Sequence, residues 1–293
     1  MADAPLYVVQ ITDCHLFANP KRRLLGVETE MTFQSTLTKV RTLNPFPNVV
    51  LLTGDLSQDG SVLSYARLRH HLRVLPTDIY WLAGNHDRLS AMQEELGSHP
   101  DLDAEMAPTQ NGSISALEAE RAPRHRLHSD DVFSRQNWTF ILLNSQIPGK
   151  DSGYLNADSL AFLETELERA AARQHHVTIS LHHPPFSMHS EWLDTSTLRN
   201  ASRLFAVLDR FTHVRVVLFG HVHQEFCTER RGVTYMSCPS TCIQFKPRSS
   251  EFALDLVPPA FRQLWFHADG RVETELVRLP EAMCVPNLQA RGY

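Results

Sequence analysis

Five short motifs along the chain carry residue types that bind metal. They are Asp13-Cys14-His15, Gly54-Asp55, Gly84-Asn85-His86-Asp87, His182-His183-Pro184 and Gly220-His221-Val222-His223. Singly each is weak: an Asp-x-His is more often a turn, Gly-Asp is commonplace, and a His pair before Pro can simply end a strand. Together they offer imidazole, carboxylate and amide oxygen, with no thiolate, a set that suits iron, manganese or zinc better than magnesium or calcium. Seven such groups, Asp13, His15, Asp55, Asn85, His182, His221 and His223, exceed the needs of one tetrahedral ion. They suit two ions with a shared carboxylate, and a two-metal clamp works for in-line displacement at phosphorus. The glycines before Asp55, Asn85 and His221 would permit tight turns with close backbone approach. The total of 16 histidines, several of them paired or one residue apart, gives the same hint.

The elements that must position these motifs are legible as short apolar, β-branched runs. Strands are expected at Leu6–Ile11, Val49–Thr53, Ile79–Ala83, Thr139–Leu143, Val177–Leu181, Val214–Phe219 and Val233–Met236. Most are continuous apolar runs, the pattern of strands buried on both faces. Helical stripes lie between them: Phe33, Leu37 and Val40; Val62, Tyr65, Leu68, Leu72 and Leu75; Leu160, Leu163 and Leu167; Leu204, Leu208 and Phe211. This alternation implies an α/β fold with largely parallel strands. The five motifs follow the first, second, third, fifth and sixth strands, so all would converge at the carboxyl edge of the sheet, where ligands bind in such folds. Near the end, Phe261–His267 and Arg271–Val277 alternate around Asp269-Gly270, a hairpin signal that adds antiparallel strands over residues 250–293. Residues 97–131 lack apolar periodicity and read as a surface insertion, with a short helix around Ser115–Arg121.

Bulk composition narrows the class. The 293 residues suffice for a single domain with a large core, and 42% hydrophobic with 21% charged residues is ordinary for a globular enzyme. A net charge of −5 disfavours nucleic acid and anionic membranes as partners. The N-terminus does not read as a signal peptide, and no apolar run approaches a membrane span, so the cytoplasm is the expected location. Five cysteines without CxxC spacing read as plain thiols.

The series Asp-x-His, Gly-Asp, Gly-Asn-His-Asp, His-x-Pro and Gly-His-x-His resembles the calcineurin-like metallophosphoesterases. That resemblance implies a four-layer α/β/β/α sandwich with two metals at the sheet edge. It would place Asp13, His15 and His223 on one metal, Asn85, His182 and His221 on the other, and Asp55 between them. His86 would face the substrate phosphate and protonate the leaving oxygen, and Asp87 would orient His86. The substrate would lie against His15, Asp55, Asn85, His86 and His223. Further motifs narrow the match. They include Ser190-Glu191-Trp192-Leu193-Asp194, Leu198-Arg199-Asn200, the run Pro239–Pro247, His267-Ala268-Asp269-Gly270 and the closing Gly292-Tyr293. They are similar to the class III cyclic nucleotide phosphodiesterases of bacteria. The resemblance implies metal-dependent hydrolysis of 3′,5′-cyclic AMP to 5′-AMP, with iron paired with iron or manganese. A hydroxide shared by the metals would attack in line with O3′.

Other small phosphodiesters, such as 2′,3′-cyclic nucleotides and glycerophosphodiesters, remain as substrates of the same chemistry. A cyclic-nucleotide sensor without turnover is the rival from another class, and the His86-Asp87 pair argues against it. His183, His189, Arg199 and Asn200 stand as further site candidates, each with a structural reading beside it. His70, His71, His175 and His176 read as solvated surface. The C-terminal antiparallel segment offers an edge through which two copies could pair as a homodimer.

Overall fold

Alternation along the strands fixes the layers. The computed structural model describes residues 4–97, 126–128, 131–280 and 285–292. In β1 (Leu6–Ile11) all six residues are buried. Leu6 and Val8 join an inner core, while Tyr7, Val9 and Ile11 join an outer one, as the two-residue period of a strand requires. The same division runs through β4 (Val49–Thr53) and β5 (Asp78–Leu82).

Two six-stranded sheets result. The first, in spatial order, is β16 (Val272–Arg278), β15 (Ala260–Phe266), β1, β4, β5 and β6 (Arg126–His128). The second is β11 (Phe226–Arg230), β12 (Val233–Ser237), β10 (Val214–Phe219), β9 (His176–Leu181), β8 (Trp138–Leu143) and β7 (Val132–Arg135). Their centres are parallel; β15, β16, β11 and β7 are antiparallel additions. Between the sheets lie Leu6, Val8, Leu51, Trp138, Phe140, Leu218 and Phe266, with Trp138 and Phe140 both edge-on to Phe266. Burial of each such side chain stabilises the fold by about 1.5–3 kcal/mol.

Helices cover the outer faces. The buried stripe of α1 (Thr29–Arg41), with Phe33, Leu37 and Val40, packs with α2 (Val62–Leu72) and α3 (Leu89–Leu96) on the first sheet. On the second sheet lie α4 (Ala157–Ala172), the short α5 (Glu191–Asp194) and α6 (Ala201–Leu208). Asn156 caps α4 by accepting from the Ser159 N–H at 2.8 Å, and Ser61 caps α2 in the same way at 3.2 Å. The expected stripe Val62–Leu75 outruns α2. Pro76 disfavours helical backbone at Leu75, which stays in the core as part of the turn. The order of layers is therefore the expected α/β/β/α. Two short ribbons complete it, β2 (Arg23–Leu24) with β3 (Val27–Glu28) and β13 (Gln244–Phe245) with β14 (Leu254–Asp255).

The antiparallel C-terminal strands are no appendage. Leu6–Gln10 pair with Arg262–Phe266, so β15 is the neighbour of β1 inside the first sheet. Most of the expected insertion, and the short helix around Ser115–Arg121, lie outside the described residues. Within it, Arg126–His128 form a strand that extends the first sheet beside Asp78–Tyr80.

Candidate metal centre

Each motif stands just past the carboxyl end of its strand. Asp13 follows β1, Asp55 follows β4, Asn85 follows β5, His182 follows β9 and His221 follows β10. The turns that carry them are strained. Asp13, His15, Asp55, His221 and His223 have φ of 53°, 47°, 50°, 69° and 47°. A left-handed conformation costs a non-glycine residue about 1–3 kcal/mol and persists only where its surroundings impose it. The imposing contacts cross between motifs: the Asp13 N–H donates to Gly54 O, the His15 N–H to Asp55 O, and the Gly220 N–H to His182 O. Close approach explains two of the glycines. A Cβ on Gly84 would lie 2.2 Å from Asp55 Oδ1, and one on Gly220 would lie 2.2 Å from Thr12 Oγ1.

Three overlapping sets of ligand atoms meet at this edge: Asp13 with His15 and His223, Asp55 with His182 and His221, and His15 with Asp55 and His86. His15 Nε2 lies 3.1 Å from His223 Nε2, and His223 Nε2 is 3.3 Å from Asp13 Oδ1. Asp55 Oδ2 stands between the sets, 3.9 Å from His15 Nε2 and 3.2 Å from His182 Nε2. Asn85 Oδ1 joins the second set, 2.9 Å from His221 Nδ1.

The far nitrogens define the tautomers. His15 Nδ1 donates to Gln58 Oε1 at 2.6 Å, His182 Nδ1 to Thr53 O at 2.9 Å, and His223 Nδ1 to Ile243 O at 2.9 Å. Each bond leaves a lone pair on Nε2, pointing into the cluster. His221 is turned the other way, with Nε2 on Ser196 Oγ at 3.0 Å and Nδ1 toward Asn85. His182 Nε2 is buried, and the polar atom facing it at 3.2 Å is Asp55 Oδ2. Lone pairs facing lone pairs, beside two carboxylates, are an arrangement that cations complete, so the donor set fits two metal ions.

Electrostatics agree. Burial opposes ionisation of Asp55, yet the imidazoles of His182, His86 and His15 hold its carboxyl well below the usual range. Burial pushes His15 down to about 3, and it holds His221 well below its ordinary value. His182 resists the same burial and rises to about 9, because Asp55 and Asp13 face it; without an ion it holds a proton on Nε2 against Asp55, in the place a cation would take.

His86 reaches this cluster, its ring edge-on to that of His15 with centroids 5.1 Å apart and its backbone N–H donating to Asp55 Oδ1 at 2.9 Å. The expectation that the Asp87 carboxylate orients His86 gives way to another geometry. Asp87 Oδ1 accepts from the Ser57 N–H and the Tyr65 hydroxyl, and Oδ2 from the Leu56 and Gly84 N–H groups. It staples the loop after β4 to the turn after β5. Burial and the Asp55 carboxylate push it up to about 6. Gln58 Nε2 stands at His86 Nδ1, 3.2 Å away. Gln58 was missed in the sequence, although it stands only three residues past Asp55. Ser196, the Ile243 carbonyl and Phe245, stacked on His223 at 4.2 Å, were missed too. The last two lie in the run Pro239–Pro247, whose part in the site is to brace His223.

The other candidates divide. His183 is buried behind the cluster with Nδ1 at Ser145 Oγ, 2.8 Å, and its ring 5.1 Å from that of His221. Asn200 clamps Leu155 with both ends of its amide, at 3.0 and 2.7 Å, and so braces a loop. Arg199 and His189 are exposed. The surface reading holds for His70 alone. His71 is half-buried against Glu30, His175 on Thr139 Oγ1 and His176 on Ala268 O.

Comparison with known proteins agrees with this geometry. The family model described as calcineurin-like phosphoesterase matches residues 6–225. A 3′,5′-cyclic-nucleotide phosphodiesterase of Nostoc is 39% identical, over 95% of this chain and 94% of its own. The 3′,5′-cyclic adenosine monophosphate phosphodiesterase CpdA of Pseudomonas aeruginosa is 35% identical over 99% of this chain and 96% of its own. Among solved structures, a dimetal phosphatase from Danio rerio superposes with TM-score 0.60 at 15% identity, covering 94% of this chain and 99% of that one, and shares the fold. Family match and converging ligand sets together establish that the chain belongs to the calcineurin-like phosphoesterases.

Proposed function

We propose that this chain hydrolyses 3′,5′-cyclic AMP to 5′-AMP at a dinuclear metal centre. The observation that carries the reading is the convergence of three overlapping ligand sets around Asp55, one of which includes His86. Asp13, His15 and His223 would hold one ion; Asn85, His182 and His221 the other; Asp55 would serve both. When bound, the ions supply Lewis acidity and make hydroxide available from water near neutral pH. The substrate phosphate lies against His15, Asp55, Asn85, His86 and His223. The Asn85 amide and the His86 imidazole stabilise charge growing on its oxygens, and His86 donates a proton to the departing O3′. Asp87 contributes by holding the loops of Asp55 and His86 together. Near-full-length likeness to relatives named for cyclic nucleotides supports the substrate. Iron paired with iron or manganese is the metal content we propose, from the mixed nitrogen and oxygen donors together with the family resemblance. Cytoplasmic location, a homodimer and the exclusion of nucleic acid and membrane partners belong to the same reading and rest on the sequence. No helix among the described residues is long and apolar enough to cross a membrane.

The test is incubation of the metal-reconstituted protein with cyclic AMP, 2′,3′-cyclic AMP and bis(p-nitrophenyl) phosphate, with an Asp55→Ala control. Metal-dependent 5′-AMP that disappears in the control is the expected result. Turnover of the artificial diester or of 2′,3′-cyclic AMP alone would transfer the same chemistry to another small phosphodiester. Absence of any turnover with both ions bound would leave a sensor.

A further inference from the structure

Two histidines of the site need opposite things from their far nitrogens. For His15 to present a lone pair at Nε2, its Nδ1 must carry the proton and meet an acceptor. For His86 to donate a proton from Nε2, its Nδ1 must be the lone pair and meet a donor. A carboxylate offers only acceptors and an ammonium only donors. A primary amide offers one of each.

Gln58 stands between the two rings with this polarity. Its Oε1 is 2.6 Å from His15 Nδ1, and its Nε2 is 3.2 Å from His86 Nδ1. The orientation of the amide decides whether His15 can take an ion. Reversed, it would place N–H groups against His15 Nδ1 and drive the proton to His15 Nε2. There it would meet the lone pair of His223 Nε2 at 3.1 Å, whose own proton is fixed on Nδ1 by Ile243 O, and the resulting N–H···N bond would close that side of the cluster to an ion. The backbone of Gln58 is pinned by its N–H on Leu16 O at 2.9 Å, so its side chain starts from a fixed point. Leu56 and Ser57, just before it, are tied by Asp87 to the turn that bears His86.

We propose that Gln58 is a positioning residue that sets the protons of two imidazoles at once, leaving His15 Nε2 bare for metal and His86 Nε2 protonated for the substrate. The proposal rests on the reading of His86 as proton donor given above. It explains why the loop after Asp55 must be fastened to the turn after Asn85. Without that fastening the amide could not span both rings.

The experiment uses zinc-loaded, 15N-histidine-labelled full-length protein, with tautomers read from imidazole 15N shifts and zinc affinity from competition with a chelator. Gln58→Leu is expected to release His86 from its Nε2–H form and weaken zinc binding about 10–100-fold, the usual effect of removing a partner of a metal-bound histidine. Turnover of cyclic AMP, whose alkoxide needs a proton, should fall about 100-fold or more, and turnover of bis(p-nitrophenyl) phosphate distinctly less. Gln58→Glu separates the two contacts. It keeps an acceptor for His15, so zinc affinity stays near that of the parent, and it moves a proton onto His86 Nδ1. The glutamate variant also carries the test if the leucine variant fails to fold. Unchanged His86 tautomers in both variants would overturn the proposal. So would equal loss on both diesters in Gln58→Leu while His86→Ala discriminates between them. If His86→Ala itself fails to discriminate, the proton-donor reading falls, and the 15N shifts alone decide the role of Gln58.

Discussion

Replacing Gly84 with alanine adds a single methyl group where the site has no room. The φ of Gly84 lies outside the left-handed region, so alanine can take its backbone conformation. The cost is contact alone. The new Cβ would lie 2.2 Å from Asp55 Oδ1 and 2.4 Å from the Asp55 backbone nitrogen, about 1 Å short of ordinary contact with the latter. A backbone atom cannot rotate away, so the loop of Asp55 and the turn of Asn85 must part by about that distance. Asp55 belongs to two of the three ligand sets, and a displacement of about 1 Å can cost a factor of about 100 in rate. That factor corresponds to about 2.7 kcal/mol of barrier, and overpacking should remove about 1–3 kcal/mol of stability as well. We expect kcat/KM for bis(p-nitrophenyl) phosphate to fall at least about 100-fold in Gly84→Ala, with reduced metal content by elemental analysis. Gly232→Ala is the control. Gly232 has φ of +77° and nothing within 4 Å of its missing Cβ. Alanine there should cost about 1–2 kcal/mol in thermal unfolding and leave turnover intact. Parent-like turnover and metal content in Gly84→Ala would refute the claim that close approach of the two loops sets the geometry of the site.

Other perturbations separate fastening from chemistry. Asp87→Asn places an amide among four donors, so unfolding calorimetry should show a loss of about 1–3 kcal/mol, while His86→Ala should leave stability nearly untouched and lower turnover more than metal content. Asn200→Ala removes both bonds to Leu155; a lower unfolding temperature with unchanged KM is expected, and a raised KM alone would mark Asn200 as a phosphate contact. His213 donates to Leu167 O at 3.0 Å, and burial holds it below its ordinary value of 6.5. The unfolded chain then binds more protons, so this contribution is complete above pH 6.5 and is lost as pH falls. His213→Gln should flatten the fall of the unfolding temperature as pH drops below about 6.5, and an unchanged slope would be evidence against it.

The strands and the outer helices were legible because each obeys a local period. Leu6–Ile11, Val49–Thr53 and Val214–Phe219 coincide with the expected runs, since a strand buried on both faces is apolar along most of its length. The short β2–β3 and β13–β14 ribbons were not legible, because two residues carry no period. Nor was the tie between β1 and β15, which lie more than 250 residues apart in sequence and are joined only by register.

The site divides along the same line. Residue type and position after each strand determined which side chains could meet at the sheet edge, because parallel strands bring their carboxyl ends to one side. Only the tertiary structure decided how they meet. It imposed left-handed backbone on Asp13, His15, Asp55, His221 and His223. It gave Asp87 to the loops and Gln58 to His86. It also chose, through Thr53 O, Ile243 O and Gln58, which nitrogen of each imidazole carries the proton. A motif names the ring. The hydrogen bond on its far side comes from a distant part of the chain, and that bond determines what the ring can do.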